Sequence, residues 1–381
     1  MADRSEVDVR LTHWRSRTGG EYVPRICVPL LVDFAPFNMP EGIKMQKDPR
    51  SDCHGNLLVV IPCLNEAGHI GRLLRQLKPA MQRLDGRVVV ADGGSTDGTV
   101  QIVQEIAASD DHVTLMHNPQ KIQSVAVNMA VAQDAGRAEY LIRIDAHCAY
   151  PDDFCDVLVR QARSVHADSI VVSMIAEGDQ MVQRVNAATQ NASFGNGGSA
   201  HRSMSSGTYV DHGHHALIKV AAFSDVGGYD PTFTHNEDAE LDYRLRQAGY
   251  RIWLTSATTI TYYPRRSLWG VGRQYFNYGT GRARNLLKHS VLPRLRQTKV
   301  MMVFPAVLLA LLSPVHWIFA IPALIWVIYC LSAGIRMAHR DGDPTLILCG
   351  VSAIIMHLSW SVGFWQQVIR ELIPQTRRVV R

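Results

Sequence analysis

Between residues 57 and 144 short apolar runs and amphipathic stretches follow one another in strict turn, and few folds accept that order. Leu57-Leu58-Val59-Val60-Ile61 reads as a buried strand, and residues 66–77 place Ile70, Leu73, Leu74 and Leu77 on one helical face. Residues 87–91 read as a second strand. A helix starting at Thr96-Asp97-Gly98-Thr99 then carries Val100, Ile102, Val103 and Ile106. A third strand over 112–116, a helix over 122–132 and a fourth strand over 140–144 continue the series. Strands alternating with helices at this spacing predict an α/β fold, a mostly parallel sheet with helices on both faces. Ligands of such sheets bind beyond the carboxyl ends of the strands. Asn65, Glu66, Asp92 and Asp145 all fall just past predicted strand ends. Farther on, a strand over 169–174, a Gly-, Ser- and Asn-rich loop over 192–206, a helix over 237–248 and a strand over 251–254 are expected.

The C-terminal third has a different character. Residues 300–335 and 345–368 carry no formal charge, and a bilayer-spanning helix needs roughly 20 residues. Pro305, Pro314 and Pro322 interrupt the first stretch, so the pattern allows two or three spans, with a turn near Ser313-Pro314. Arg282, Arg284, Lys288, Arg294, Arg296 and Lys299 precede it with no acid among them. Such a run marks a cytoplasmic flank and meets anionic lipid headgroups. Trp269, Tyr275 and Tyr278 alternate with Arg273 and Arg282, as in a segment lying in a membrane interface. The expected division is an arm over 1–55, a catalytic domain over 56–265, an amphipathic basic segment over 266–299, membrane helices over 300–370 and a basic tail over 371–381. The apolar patch of the arm, residues 26–32, is too short to span. The net charge of +5 comes without a nucleic-acid recognition motif, so no nucleic acid is expected as a partner. Seven cysteines without a Cys-x-x-Cys point to reduced thiols. The expected location is a bacterial-type inner membrane, with the catalytic domain facing the cytoplasm.

Two acidic elements carry chemistry. Asp145-Ala146-His147 follows an apolar run and offers an oxygen and a nitrogen donor, which suits Mn²⁺ or Mg²⁺ carrying a diphosphate. A plainer reading makes Asp145 the cap of a helix starting near Pro151. Asn236-Glu237-Asp238 opens a helix, where a carboxylate can take a proton from a hydroxyl. Acids also favour a helix N-terminus, and both roles can coexist. His212, His214 and His215 lack zinc-spaced companions and read as a substrate-contacting or plain polar loop.

The segments Pro62-Cys63-Leu64-Asn65-Glu66 and Asp92-Gly93-Gly94-Ser95-Thr96-Asp97-Gly98-Thr99 resemble family 2 glycosyltransferases of the GT-A fold, over about residues 57–285. The resemblance implies that Asp92 contacts uridine and that Pro62 and Glu66 line its pocket. Many members have a second Asp where this chain has Gly93. Asp145 and His147 take the place of the family's Asp-x-Asp and imply Mn²⁺ or Mg²⁺. Asp238 takes the place of the general base, beside Glu237. Asn128, in a stretch with Asn118, Gln120 and Lys121, implies support of the donor site. Processive relatives carry Gln-x-x-Arg-Trp where this chain has Arg265, Arg266 and Trp269. Arg273 and Gln274 are the expected substitutes gripping diphosphate and acceptor, and single addition is expected over polymerisation.

Within the family, residues 143–151, 193–198 and 279–283 look most like the succinoglycan-type, ExoA-like exopolysaccharide transferases. This implies inverting transfer of a hexose, glucose in β linkage, from a UDP-sugar to a lipid-diphosphate-linked sugar. Membrane lipids and other exopolysaccharide assembly proteins would be partners. A polyprenyl-phosphate acceptor, or a non-catalytic membrane scaffold with the same fold, are the alternatives.

Overall fold

The computed structural model describes residues 57–197 and 207–373. The expected arm over 1–55, most of the tail and part of the 192–206 loop lie outside the described residues. Strands β1 (Leu57–Cys63), β2 (Gly86–Asp92), β3 (Val113–His117) and β4 (Tyr140–Arg143) alternate with helices α1 (Ala67–Leu84), α2 (Thr99–Ala107) and α3 (Gln123–Asp134). The order follows from the apolar runs: β1 and β4 are buried on both faces, as central strands of a covered sheet must be. Next come α4 (Phe154–Val165), β5 (Ser169–Ala176), α5 (Met181–Asn191), α6 (Ser193–Asn196), β6 (Thr208–Tyr209), β7 (His214–Lys219), α7 (Val220–Asp225), α8 (Glu237–Gln247) and β8 (Ile252–Tyr262).

All eight strands form one sheet, in the order β3-β2-β1-β4-β7-β5-β8-β6. Strand β7 runs antiparallel between β4 and β5, so its first residues emerge on the edge where the parallel strands end. One core cluster packs α1 and α4 on one sheet face, centred on Ile61, Leu74, Ile142 and Leu158. The other holds α3, α7 and α8, with Val60, Leu141, Phe223 and Leu241. Burying each such side chain stabilises the fold by about 1.5–3 kcal/mol.

The chain then runs through α9 (Leu268–Lys288), α10 (Leu295–Met301), α11 (Val303–Ala310), α12 (Ile321–Asp341) and α13 (Leu348–Leu372). Helix α9 does more than lie along a surface. It crosses α13 at glycines, and a side chain at Gly279 would collide with the Trp360 carbonyl. Polar groups tie α13 to the catalytic part: Ser352 Oγ donates to Asn186 Oδ1 at 2.8 Å, and His357 Nε2 lies 2.9 Å from the Phe194 carbonyl. Two described stretches, Trp317–Asp341 and Pro344–Leu372, are long and apolar enough to cross a membrane by length and composition. Helix α11 has only 8 residues, and a turn over 311–316 separates it from Trp317.

Candidate active site

The loops after β1 and β2 are laced together before they can hold anything. Asn65 Oδ1 accepts from the Thr96 amide at 2.9 Å, and Asp97 Oδ2 accepts from the Ala67 amide at 3.0 Å. Asp92 closes its own turn: Oδ2 accepts from the amides of Gly94 at 2.7 Å and Ser95 at 3.0 Å, and the residue is 3% exposed. Asp92 is therefore buried and lies outside the lining of the cleft. Gly93 lines the cleft at this strand end instead, with Pro62, Asn118, Lys121, Asp145 and His147, around about 150 Å³. A larger cavity of about 720 Å³ opens elsewhere, between α5 and α12, walled by Asn191, Phe194, Tyr329 and Arg336. The motif-bearing residues line the smaller one.

Asp145 is set by its surroundings. Its amide donates to the Tyr150 hydroxyl at 2.9 Å, and Gln123 Nε2 donates to Oδ1 at 2.9 Å. It caps no helix, since α4 begins at Phe154 with Asp153 before it. Burial pushes its carboxyl up, but Arg143, His214 and His147 outweigh that and hold it below the ordinary value. His147 Nδ1 lies 3.0 Å from Glu66 Oε1, a bond that raises the imidazole above its ordinary value and fixes the ring through that nitrogen. No group of three or more His, Cys, Asp or Glu among the described residues is arranged to hold a metal. One carboxylate and one imidazole held by a carboxylate fit a divalent ion that takes its other ligands from a diphosphate and water.

The second carboxylate site shares its partners with Asp145. Arg143, on the last position of β4, is enclosed between them. Its Nη1 donates to Asp238 Oδ1 at 2.8 Å and Glu237 Oε1 at 3.2 Å, Nη2 donates to Asp238 Oδ2 at 3.3 Å, and Nε lies 3.8 Å from Asp145 Oδ1. His214, the first residue of β7, bridges the same pair: Nε2 is 3.9 Å from Asp145 Oδ2, and Nδ1 is 3.7 Å from Asp238 Oδ2. The Tyr229 hydroxyl donates to Asp238 Oδ1 at 2.8 Å. Burial, and then the Asp238 charge, hold the Glu237 carboxyl above its ordinary value. Asp238 takes both terminal nitrogens of the Arg143 guanidinium, and Glu237 takes one.

Pro62, Asp145 and His147 thus line the cleft, Glu66 adjoins it through His147, and Glu237 and Asp238 are joined to it through Arg143 and His214. Asn128 is not among its lining residues: Nδ2 donates to the Tyr229 carbonyl at 2.7 Å, and Oδ1 accepts the Tyr229 amide at 2.9 Å. Asn128 thus holds the backbone of Tyr229, whose hydroxyl reaches Asp238. Gln274 Nε2 is occupied by the hydroxyls of Tyr262 and Tyr278, each at 2.8 Å, and Arg273 is exposed on α9. Sequence reasoning missed Arg143 and Tyr229, and it read His214 as part of a loop. One signal was available: Arg143 is a lone charge in an otherwise apolar strand, and such a residue needs a partner.

Residues 58–227 match the family profile described as Glycosyl transferase family 2. Over 322 residues the chain is 51% identical to the Succinoglycan biosynthesis protein ExoA of Rhizobium meliloti, covering 84% of this chain and 96% of that protein. It is 27% identical over 253 residues to the Pre-mycofactocin glycosyltransferase of Mycobacterium tuberculosis, covering 64% of this chain and 50% of that protein. Among solved structures it is similar to the mannosyltransferase PcManGT from Pyrobaculum calidifontis in complex with GDP-Man and Mn²⁺. The TM-score is 0.54 at 15% identity, over 85% of this chain and 90% of that one. At that identity the likeness concerns the fold.

Proposed function

The chain belongs to glycosyl transferase family 2, as an ExoA-like glycosyltransferase, and on that premise we propose that it transfers a hexose with inversion from a UDP-sugar to a lipid-diphosphate-linked sugar in exopolysaccharide assembly. Glucose in β linkage is the sugar we assign. The observation that carries the reading is the pair of bridges, Arg143 and His214, that join Asp145 to Asp238.

The nucleoside lies against Pro62, Gly93 and Asn118, where the buried Asn118 Oδ1, without a partner among the described residues, can accept an N–H from the base. Lys121 and the Asp145 side of the cleft receive the diphosphate. Asp145 and His147 would hold Mn²⁺ or Mg²⁺, which when bound neutralises charge on the leaving diphosphate. The acceptor hydroxyl enters on the Asp238 side. Its oxygen bonds to the anomeric carbon as the bond from that carbon to the diphosphate breaks. The proton passes to the Asp238 carboxylate, which Arg143 and Tyr229 hold in place. Attack opposite the leaving group turns an α-linked donor into a β-linked product.

The membrane placement rests on the two long apolar stretches and on their outward side chains, among them Trp317, Ile325 and Ile328, which are 69%, 63% and 63% exposed. The catalytic domain would face the cytoplasm, where nucleotide sugars are supplied. The test incubates membranes holding the protein with labelled UDP-glucose, UDP-galactose and GDP-mannose and a lipid extract. Label from UDP-glucose entering the organic phase in an acid-labile, diphosphate-linked form is expected. Label that stays with the nucleotide for every donor contradicts the proposal.

A further inference from the structure

Helix α13 is long enough to cross a bilayer, yet the catalytic part of the chain covers it along most of its length. Near its start Cys349 Sγ donates to the Val185 carbonyl of α5 at 3.5 Å, and Ser352 and His357 bond to Asn186 and Phe194. Farther along it lies against α9, where a side chain at Gly279 would strike the Trp360 carbonyl and one at Gly363 the Phe276 carbonyl. Near its end Trp365 Nε1 donates at 2.8 Å to the carbonyl of Met301, the last residue of α10. From Cys349 to Gly363 these contacts follow the helix axis for about 21 Å. Helix α9 is in turn fixed to α8: Gly281 packs on the His235 carbonyl, and Lys288 Nζ lies 2.6 Å from Glu240 Oε1. Standing upright, α13 would therefore carry α5 and α9 through most of a hydrocarbon core about 30 Å thick. Those helices expose Arg184, Asn191 and Arg273, which hydrocarbon does not accept without partners.

The apolar surface lies on other elements. Helix α12 packs on α13 through Gly334 and Gly350 and leaves Leu324, Ile325, Ile328 and Ile335 more than half exposed. Its end returns to the catalytic part, where Met337 packs with Val185 and Cys349. Helix α11, with 8 residues, rises about 12 Å, less than half the core, before the turn over 311–316. Leu311 and Val315 of that turn are 70% and 80% exposed.

The charges follow the same plan. Arg294, Arg296 and Lys299 precede α11, Arg336 and Arg340 close α12, and Arg370, Arg377, Arg378 and Arg381 end the chain. Lys and Arg mark the cytoplasmic flank. Crossing by α12 and α13 would put Arg336 and Arg340 outside, and three crossings would put the terminal arginines there. Crossing by α11 and α12 would keep them inside, but α11 is too short. A hairpin that never crosses keeps every basic group on one side.

We propose that α11, α12 and α13 form a re-entrant anchor that dips into the cytoplasmic leaflet and crosses nowhere. The turn over 311–316 is its deepest part, and α13 lies between the catalytic part and the acyl chains. This rests on the membrane placement given above and replaces the two or three expected spans by none. The partner is a single leaflet of phospholipid, and the catalytic part is tied to its surface along α13, where a lipid-linked acceptor presents its polar end.

The test adds single cysteines to the full chain at exposed positions: Val315→Cys in the turn, His339→Cys at the end of α12 and Ile373→Cys after α13. Wild type, whose five described cysteines are all buried, is the blank. A membrane-impermeant maleimide is applied to intact spheroplasts, to inverted inner-membrane vesicles and to detergent-solubilised protein. Added to spheroplasts, it should label none of the three above the blank. In inverted vesicles His339→Cys and Ile373→Cys should label as fully as in detergent, and Val315→Cys only in detergent, with Leu311→Cys repeating the Val315 result. The melting temperatures should match wild type, because exposed substitutions perturb little. Labelling of any site from outside shows a crossing and overturns the proposal. Val315→Cys that labels in inverted vesicles without detergent puts the turn in water and also overturns it. Wild type recovered in the soluble fraction of broken cells overturns the membrane placement itself.

Discussion

Asp238 and Glu240 stand two residues apart on α8 and are held in opposite ways. Glu240 is fully buried and saturated. Arg244 Nε reaches Oε1 at 2.9 Å, Lys288 Nζ lies at 2.6 Å and His289 Nε2 at 3.0 Å, tying α8 to α9. Asp238 takes Arg143 on both oxygens and Tyr229 on Oδ1, with His214 beside Oδ2. Both carboxylates are paired, but the Asp238 side chain keeps 14% of its surface exposed and Glu240 keeps none. A charge closed in by protein partners serves the fold. One left beside an opening can change its protonation in a reaction.

This contrast can be broken or sharpened by experiment. Chelating divalent ions should reduce transfer by about a thousand-fold, since a Lewis acid at a leaving diphosphate supplies several kcal/mol. Mn²⁺ or Mg²⁺ should restore it, and the melting temperature should hardly move. Glu240→Gln should do the reverse. Leaving Lys288, His289 and Arg244 without their shared anion should cost about 3–5 kcal/mol of stability, read by thermal or denaturant unfolding, with KM for donor nearly unchanged.

The pH dependence of that stability follows from Glu240. Burial would raise its carboxyl, but His289, Arg244 and Lys288 hold it well below the ordinary range. A depressed folded value stabilises the protein above the unfolded carboxyl value of about 4.3 and is lost as pH falls through the folded value. Wild type should therefore lose its advantage over Glu240→Gln in acid. Tyr229→Phe removes one hydrogen bond to Asp238, about 1 kcal/mol, and should lower kcat by roughly fivefold with little change in KM. Gly93→Ala should be the mildest change. An added Cβ would meet Cys63 O at 3.4 Å and Lys121 Cα at 3.5 Å, ordinary contacts, so donor KM should move less than about twofold.

The half built on β1 to β4 was legible in the sequence because its central strands β1 and β4 are buried on both faces and so appear as unbroken apolar runs. Its motif residues lie at strand ends, which topology turns into a cleft. The half from β5 onward was harder to read. Strand β7 pairs antiparallel with β4 and β5, a long-range arrangement that local periodicity does not encode, and its opening histidines looked like a loop. A short motif does not reveal where a carboxylate turns, and Asp92 turns onto the amides of Gly94 and Ser95. The basic run after residue 281 looked uniform. Packing divides it: Arg284 donates to the Thr232 carbonyl, Lys288 pairs with Asp230 and Glu240, and Arg294 pairs with Asp211.

The most direct measurement compares Asp145→Asn and Asp238→Asn in Mn²⁺-dependent UDP binding by calorimetry and in sugar transfer to the lipid fraction. Asp145→Asn should weaken both. Asp238→Asn should bind UDP within about twofold of wild type while transfer falls by about a hundred- to ten-thousand-fold, the range of a positioned general base. Transfer that survives in Asp238→Asn, or Mn²⁺-dependent binding that survives unchanged in Asp145→Asn, contradicts the division of labour across one cleft.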